Sequence, residues 1–167
     1  MMMKRIEAVN DFVVKFANVN GSGSASANGL FARAILRMGV PVAARNIFPS
    51  NIQGLPTWYE VRVTEDGWRG RRGGVDLTVA MNPQTWDKDI AEVDPGGYLF
   101  YDSTRALPPS RFRDDITTLG IPLTGICNAE YTDARQRQLF KNIIYLGALS
   151  ALLDIDPVEV EKLFGEQ

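Results

Sequence analysis

Residues 12–28 read FVVKFANVNGSGSASAN, and this stretch decides the fold. Phe12 to Ala17 is a mostly apolar run suited to a central strand. Asn18 to Asn28 is small, polar and rich in glycine, the composition of a turn. From Asn28 the period lengthens: Leu30, Phe31, Ala34, Ile35 and Met38 form one apolar face of a helix, with Gly39 as its stop. Ser26 or Asn28 is expected to cap that helix. Val40 to Ala44 then reads as a second strand, so the chain opens β-loop-α-β, a Rossmann-like start.

Working outward, RNIFPSNIQGLPT (45–57) has no sustained period and reads as an ordered loop, anchored by Phe48, Ile52 and Leu55. Trp58 to Thr64 alternates, with Tyr59, Val61 and Val63 on one side and Trp58, Glu60 and Arg62 on the other, as a half-exposed strand does. Glu65 to Gly74 is a basic, glycine-rich turn, and Val75 to Met81 is a buried strand. These two strands are expected to form a hairpin. A helix from Asn82-Pro83 to about Val93, a strand over Tyr98–Tyr101 and a short strand over Ile121–Ile126 follow. A long helix then spans Asp133 to Leu153. Asp156, Pro157 and Glu159 supply an N-cap, an N1 proline and a capping-box acid for a final helix. Alternating strands and helices imply an α/β fold, a three-layer α/β/α domain with a mixed sheet. One domain over 1–167 is expected, with 1–11 a peripheral N-terminal segment.

The composition narrows the chemistry. The chain has 167 residues, 45% of them apolar, and 18 basic against 20 acidic side chains. That balance gives no field for a polyanion, so nucleic acid is an unexpected partner. One cysteine, Cys127, and no histidine leave no disulfide framework and no His-based metal or base chemistry. Cys127 is expected to be a small buried apolar residue. No apolar run is long enough for a membrane span, and the start MMMKRIEAVND lacks the apolar core of a signal peptide. The expected compartment is cytoplasmic.

Three constellations remain. Gly21, Ser22, Gly23, Ser24, Ser26 and Asn28 lie between a buried strand and a helix, where exposed amides attract phosphate or carboxylate. Neither the full dinucleotide spacing nor a Walker lysine is present, and close helix packing explains the glycines as an alternative. Arg45, at the end of the second strand, is where a 2′-phosphorylated dinucleotide would be met, which keeps an NADP-binding domain open. Ser50, Asn51, Gln53, Gly54 and Thr57 decorate the long loop, which either surrounds a site or covers a partner. Arg69, Arg71 and Arg72 fit a phosphate or a solvated turn equally. The acids Asp76, Asp87, Asp89, Asp94, Asp114 and Asp115 have no spacing that compels a carboxylate pair. Gly147 in the late helix, near Asn142, costs about 1 kcal/mol of helix propensity against alanine and implies close packing. The residues nominate no catalytic group and no metal ligand, which also keeps a non-enzymatic interaction module open.

Taken together, VNGSGSASAN, the helix ending in RMG, FPSNIQGLPTWYEVRV and KNIIYLGALSALL resemble the gamma-type domain of 2-oxoacid:ferredoxin oxidoreductases, and most closely the N-terminal part of their fused alpha subunits. The resemblance spans Phe12 to Phe164. It implies part of a multisubunit or multidomain enzyme that oxidatively decarboxylates a 2-oxoacid, the chain alone being inactive. Thiamine diphosphate, Mg and iron–sulfur clusters would be held by partner domains, CoA would be a substrate, and ferredoxin would be the electron acceptor. By the same resemblance, Gly21, Ser22, Gly23, Ser24, Ser26 and Asn28 are cofactor contacts. Arg45, Ser50, Asn51, Gln53, Gly54 and Thr57 form a substrate or interface loop, and Asn142 and Gly147 a helix-packing or interface pair. The loop departs from the GxGGQG pattern common in gamma-type chains, since GSGSAS stands here.

Overall fold

The computed structural model describes residues 9–68, 70 and 73–166. The basic-turn arginines Arg69, Arg71 and Arg72 and the first eight residues of the expected peripheral segment lie outside that set. Asp11 already belongs to the first strand.

Strand β1 (Asp11–Val19) is buried continuously from Val13 to Asn18. A strand apolar on both faces needs a neighbour along each edge and a layer on each side. Its neighbours are β3 (Pro56–Thr64), antiparallel, and β4 (Val75–Ala80), parallel. Beyond them lie β2 (Val42–Ile47) outside β3, and β5 (Val93–Asp102) and β6 (Thr117–Ile121) outside β4, in the order β2-β3-β1-β4-β5-β6. The sheet is mixed, as expected, but by a different pairing: β1 separates β3 from β4, so the expected hairpin does not form. The antiparallel contacts are β3 with β1 and β3 with β2.

Alternation divides the core. Val14, Phe16, Val61, Leu77, Val79 and Phe100 pack under α1 (Ser24–Arg37), α4 (Ala134–Leu152) and α5 (Pro157–Gly165). Phe16 meets Phe31 edge-on at 5.2 Å and Tyr145 at 6.2 Å. A fully buried side chain of that size contributes roughly 1.5–3 kcal/mol through removal from water. On the opposite face Ala80, Leu99 and Tyr101 pack under Trp86 and Ile90 of the short α2 (Trp86–Ala91). Helices thus cover both faces, giving the expected α/β/α layering.

Several boundaries differ from the sequence reading. Helix α1 begins four residues early, at Ser24; Gly23 is its N-cap at φ 73° and no side chain caps it. Ser26 and Asn28 are therefore inside the helix, and neither caps it. The helix expected over 82–93 shrinks to a 3₁₀ turn (Pro83–Thr85) followed by α2. β5 takes in Asp94 to Gly97 through a register shift between Val75 and Leu77, and glycine is required at 97 because a Cβ would stand 2.7 Å from the Asp76 carbonyl. The last strand is Thr117–Ile121, and 123–130 is instead α3 (Leu123–Glu130). The reason is Asp102 at the end of β5, whose carboxylate takes the Thr124 N–H at 3.1 Å and the Thr124 hydroxyl. That distant cap starts a helix which local propensity does not announce. Asp156 caps α5 from Val158 N–H at 2.9 Å as expected, whereas Glu159 turns to Lys162 rather than back to the cap.

The supposed half-exposed strand β3 is buried on both faces, Trp58, Glu60 and Thr64 included. Its polar side lies in a cross-sheet row, Arg45–Glu60–Lys15–Thr78, set by the strand registers. Arg45 bridges Glu60 at 3.0 Å, and Lys15, 6% exposed, pairs with Glu92. Polar alternation here marks paired burial, since a charge without a partner would be costly inside. Cys127 is buried, as expected.

Candidate functional site

β1, β2, β4, β5 and β6 run the same way, and open α/β sheets present ligands at the carboxyl ends of such strands. At that edge the chain leaves β1 through Asn20 to Gly23 and enters α1. Gly21 and Gly23 both have positive φ, 84° and 73°. An L side chain pays for that conformation, which is why glycine holds both positions.

The long loop closes onto this turn. Asn20 N–H donates to the Leu55 carbonyl at 2.8 Å, Gly54 N–H donates to the Asn20 carbonyl at 2.9 Å, and the Asn20 amide reaches the Ile52 carbonyl at 3.1 Å. Gln53 lies so close that a Cβ on Gly21 would stand 2.7 Å from its Cγ. From the helix layer Asn142 donates to the Ser22 carbonyl at 3.0 Å. A buried chain ties the base of the turn: Tyr145 hydroxyl donates to Asn28 Oδ1 at 2.8 Å, and Asn28 Nδ2 donates to Asn18 Oδ1 at 3.1 Å. Burial pushes the Tyr145 phenol well above its ordinary value, so it is a fixed donor.

Between the glycine turn and the 57–59 segment is a cleft of about 250 Å³, lined by the amides Asn18, Asn20, Asn28 and Asn46, by Ser24 and Thr57, and by Phe48, Trp58 and Tyr59. No charged side chain lines it. Burial raises the Tyr59 phenol, with Arg33 pulling the other way, so this group too is neutral near pH 7. The first turn of α1 adds N–H groups that no side chain caps. Such a lining orients carbonyl, amide or carboxylate groups by hydrogen bonding; it offers no proton donor or acceptor suited to catalysis near neutral pH.

The structure brings Gly21, Ser22, Gly23, Ser24, Asn28, Gln53, Gly54, Thr57 and Asn142 to this one place. Others stand apart. Arg45 lies in β2 rather than in the loop, with its guanidinium on Glu60 on the opposite face of the sheet. Ser26 faces an outer groove between α1 and β2. Ser50 accepts Ile52 N–H at 3.1 Å within the loop, and Asn51 is exposed. Gly147 is exposed on α4, and a Cβ there would meet nothing within 4 Å, so close packing inside the domain is not its reason. Asn46 and Phe48 belong to the long loop read from the sequence, whereas Asn18 and Tyr59 were absent from the sequence-derived set. Tyr145 carries a readable signal, three residues after Asn142 on the same helix face. Among the described residues, no three His, Cys, Asp or Glu side chains stand together as a metal site, and no helix is long and apolar enough to cross a membrane.

A glycine turn and a neutral, amide-lined cleft thus stand at the carboxyl edge of a mixed α/β sheet. The chain belongs to the pyruvate ferredoxin/flavodoxin oxidoreductase family, whose model matches residues 13–167. Its fold is similar to that of a chain of 2-oxoglutarate:ferredoxin oxidoreductase from Magnetococcus marinus, solved with 2-oxoglutarate, coenzyme A and succinyl-CoA bound, at TM-score 0.83 and 23% identity, covering 95% of this chain and 27% of that one. It is similar also to the gamma subunit of a keto/oxoacid ferredoxin oxidoreductase from Geobacter sulfurreducens, at TM-score 0.72 and 21% identity, covering 93% and 86%. In sequence it is 29% identical over 82 residues to subunit alpha of 2-oxoacid:ferredoxin oxidoreductase 2 from Aeropyrum pernix, covering 49% of this chain and 13% of that protein. The chain thus spans about a quarter of the Magnetococcus chain and about an eighth of the Aeropyrum subunit.

Proposed function

We propose that this chain is the gamma-type domain, over 1–167, of a cytoplasmic thiamine-diphosphate-dependent 2-oxoacid:ferredoxin oxidoreductase, in which it forms part of the CoA/2-oxoacid side of the active site and of the subunit interface. The observation that carries the reading is the bonding of Ile52, Gly54 and Leu55 to Asn20 in the glycine turn, beside a neutral cleft that the turn lines together with Thr57 of the same loop. Its amides and uncapped helix amides suit the carbonyl and amide groups of an acyl-CoA chain or the carboxylate of a 2-oxoacid. The cleft has room for only a portion of coenzyme A, so the rest must lie on a neighbouring domain. Around it Phe48, Ile52 and Leu55 are exposed, an apolar rim of the kind that a partner covers.

Thiamine diphosphate, when bound by partner domains, supplies the electron sink for decarboxylation. The residues of this chain hold and orient the substrate side, exclude water with the loop, and leave proton and electron transfer to the partners. With Arg45 engaged by Glu60, the cleft lining has no cation to meet a 2′-phosphate, and the NADP reading gains no support. The test is co-purification with the chains encoded beside it. Phe48→Asp and Ile52→Asp are expected to weaken assembly while leaving the chain folded. Undiminished assembly by both variants would refute the interface part of the reading.

A further inference from the structure

Behind the cleft, on the opposite side of the sheet, lies a buried carboxyl group. Asp89 of α2 is fully buried, at 0% exposure. Its Oδ1 accepts the indole N–H of Trp58 at 2.8 Å, and its Oδ2 is bonded to the Thr85 hydroxyl. The same Thr85 oxygen lies 3.2 Å from the Asn82 carbonyl. A hydroxyl has one proton, so it serves one of these two acceptors at a time. With Asp89 ionised, Thr85 donates to the carboxylate. With Asp89 protonated, the carboxyl donates to Thr85, and Thr85 donates to Asn82. Both states are satisfied, and the indole keeps its acceptor in each.

The charged groups around this pair are accounted for. From β1, Lys15 stands 5.7 Å from the centre of the Trp58 ring and is paired with Glu92, which directly follows α2. From α2 itself, Lys88 lies over the same ring at 4.2 Å. From β3, Glu60 is engaged by Arg45. Among the described residues, Asp89 is bonded to Trp58 and Thr85 and to no cation. Burial raises its proton affinity, with Thr85, Trp58 and Lys15 acting in the opposite direction and Glu92 adding to the rise.

Trp58 joins this buried group to the cleft. Its neighbours Thr57 and Tyr59 line the cleft, and Thr57 is paired in register with Asn18, at the base of the glycine turn. We propose that Asp89 is a positioning residue for the cleft: through the Trp58 indole it sets where Thr57 stands against the glycine turn, and its ionisation is felt there. This rests on the cleft being the functional site.

The experiment is a series of ¹⁵N–¹H spectra of the 167-residue chain over a range of pH for wild type, Asp89→Asn and Asp89→Leu. In wild type the Trp58 indole signal and the Thr57 and Gly23 amide signals are expected to titrate together, with a midpoint above the ordinary carboxylate range. Asp89→Asn keeps an acceptor for the indole and a donor for Thr85, so it is expected to hold the acid-form positions at every pH. Asp89→Leu is expected to shift both the indole and Thr57 signals. An indole signal indifferent to Asp89 substitution, an indole that titrates while Thr57 and Gly23 do not, or an asparagine variant that titrates like wild type would each overturn the proposal. Should the leucine variant fail to fold, the comparison of wild type with Asp89→Asn decides alone. These signals are read without coenzyme A or partner chains, so their failure is distinct from failure of the proposed function, which is read in the assembled enzyme.

Discussion

Gly21→Ala tests how the two loops are locked. The φ of Gly21 is 84°, and an L residue in the left-handed region costs roughly 1–2 kcal/mol. The added methyl would also stand 2.7 Å from Gln53 Cγ and 3.2 Å from Cδ. Gln53 is exposed and can move, but it precedes Gly54, whose N–H holds the Asn20 carbonyl at 2.9 Å. Loosening that bond and its companion from Asn20 to Leu55 adds about 0.5–1.5 kcal/mol. The sum is about 1.5–3.5 kcal/mol, or a fall in Tm of roughly 3–14 °C for a chain of this size. Urea and thermal unfolding followed by circular dichroism measure it. In a Gln53→Ala background the clash is absent, and the same substitution should cost only the backbone share, roughly 1–2 kcal/mol. Equal losses in both backgrounds would refute the packing of Gln53 on Gly21, and no loss in either would refute the left-handed turn.

Two further perturbations probe the supports of the site. Tyr145→Phe removes the hydroxyl donated to Asn28 and leaves a buried acceptor short of a partner, at a cost of about 1–3 kcal/mol in urea unfolding; a neutral substitution would contradict the buried chain. At Asp102 burial alone would raise the carboxyl, but the bonds from Thr124 and Thr104 outweigh it and hold the group below its ordinary value. A depressed carboxyl stabilises the fold above its unfolded pKa, about 3.9, and that contribution is lost as pH falls through the lower folded value. Stability measured against pH should therefore show a steeper acid slope in wild type than in Asp102→Asn; identical slopes would contradict the cap on α3.

The parts of the fold that were legible are those in which local pattern and tertiary role agree. FVVKFA gave a central strand, the glycine turn gave a crossover, and the apolar faces of α1 and α4 gave the layers. Illegible were the features fixed by distant partners. The alternation of β3 looks half-solvated in sequence, yet Glu60 is buried with Arg45, 15 residues earlier on the neighbouring strand β2, bonded to it. Helix α3 needs Asp102, 22 residues before Thr124, to cap its first turn. The strand neighbours of β3 and β4 could not be read from adjacency, because β1 lies between them. At the site the glycine turn, the 50–57 loop and Asn142 were all readable, since small, amide-rich and glycine positions between periodic elements carry a turn signal. Asn18 and Tyr59 were not, because within strands they look like ordinary members of the pattern.

The measurement closest to the central claim is CoA-dependent reduction of a low-potential acceptor by this chain co-purified with its genomic-neighbour subunits, screened over several 2-oxoacids and repeated without the domain. The account predicts activity that requires both the domain and one class of 2-oxoacid. Unchanged activity in the preparation lacking the domain would contradict it.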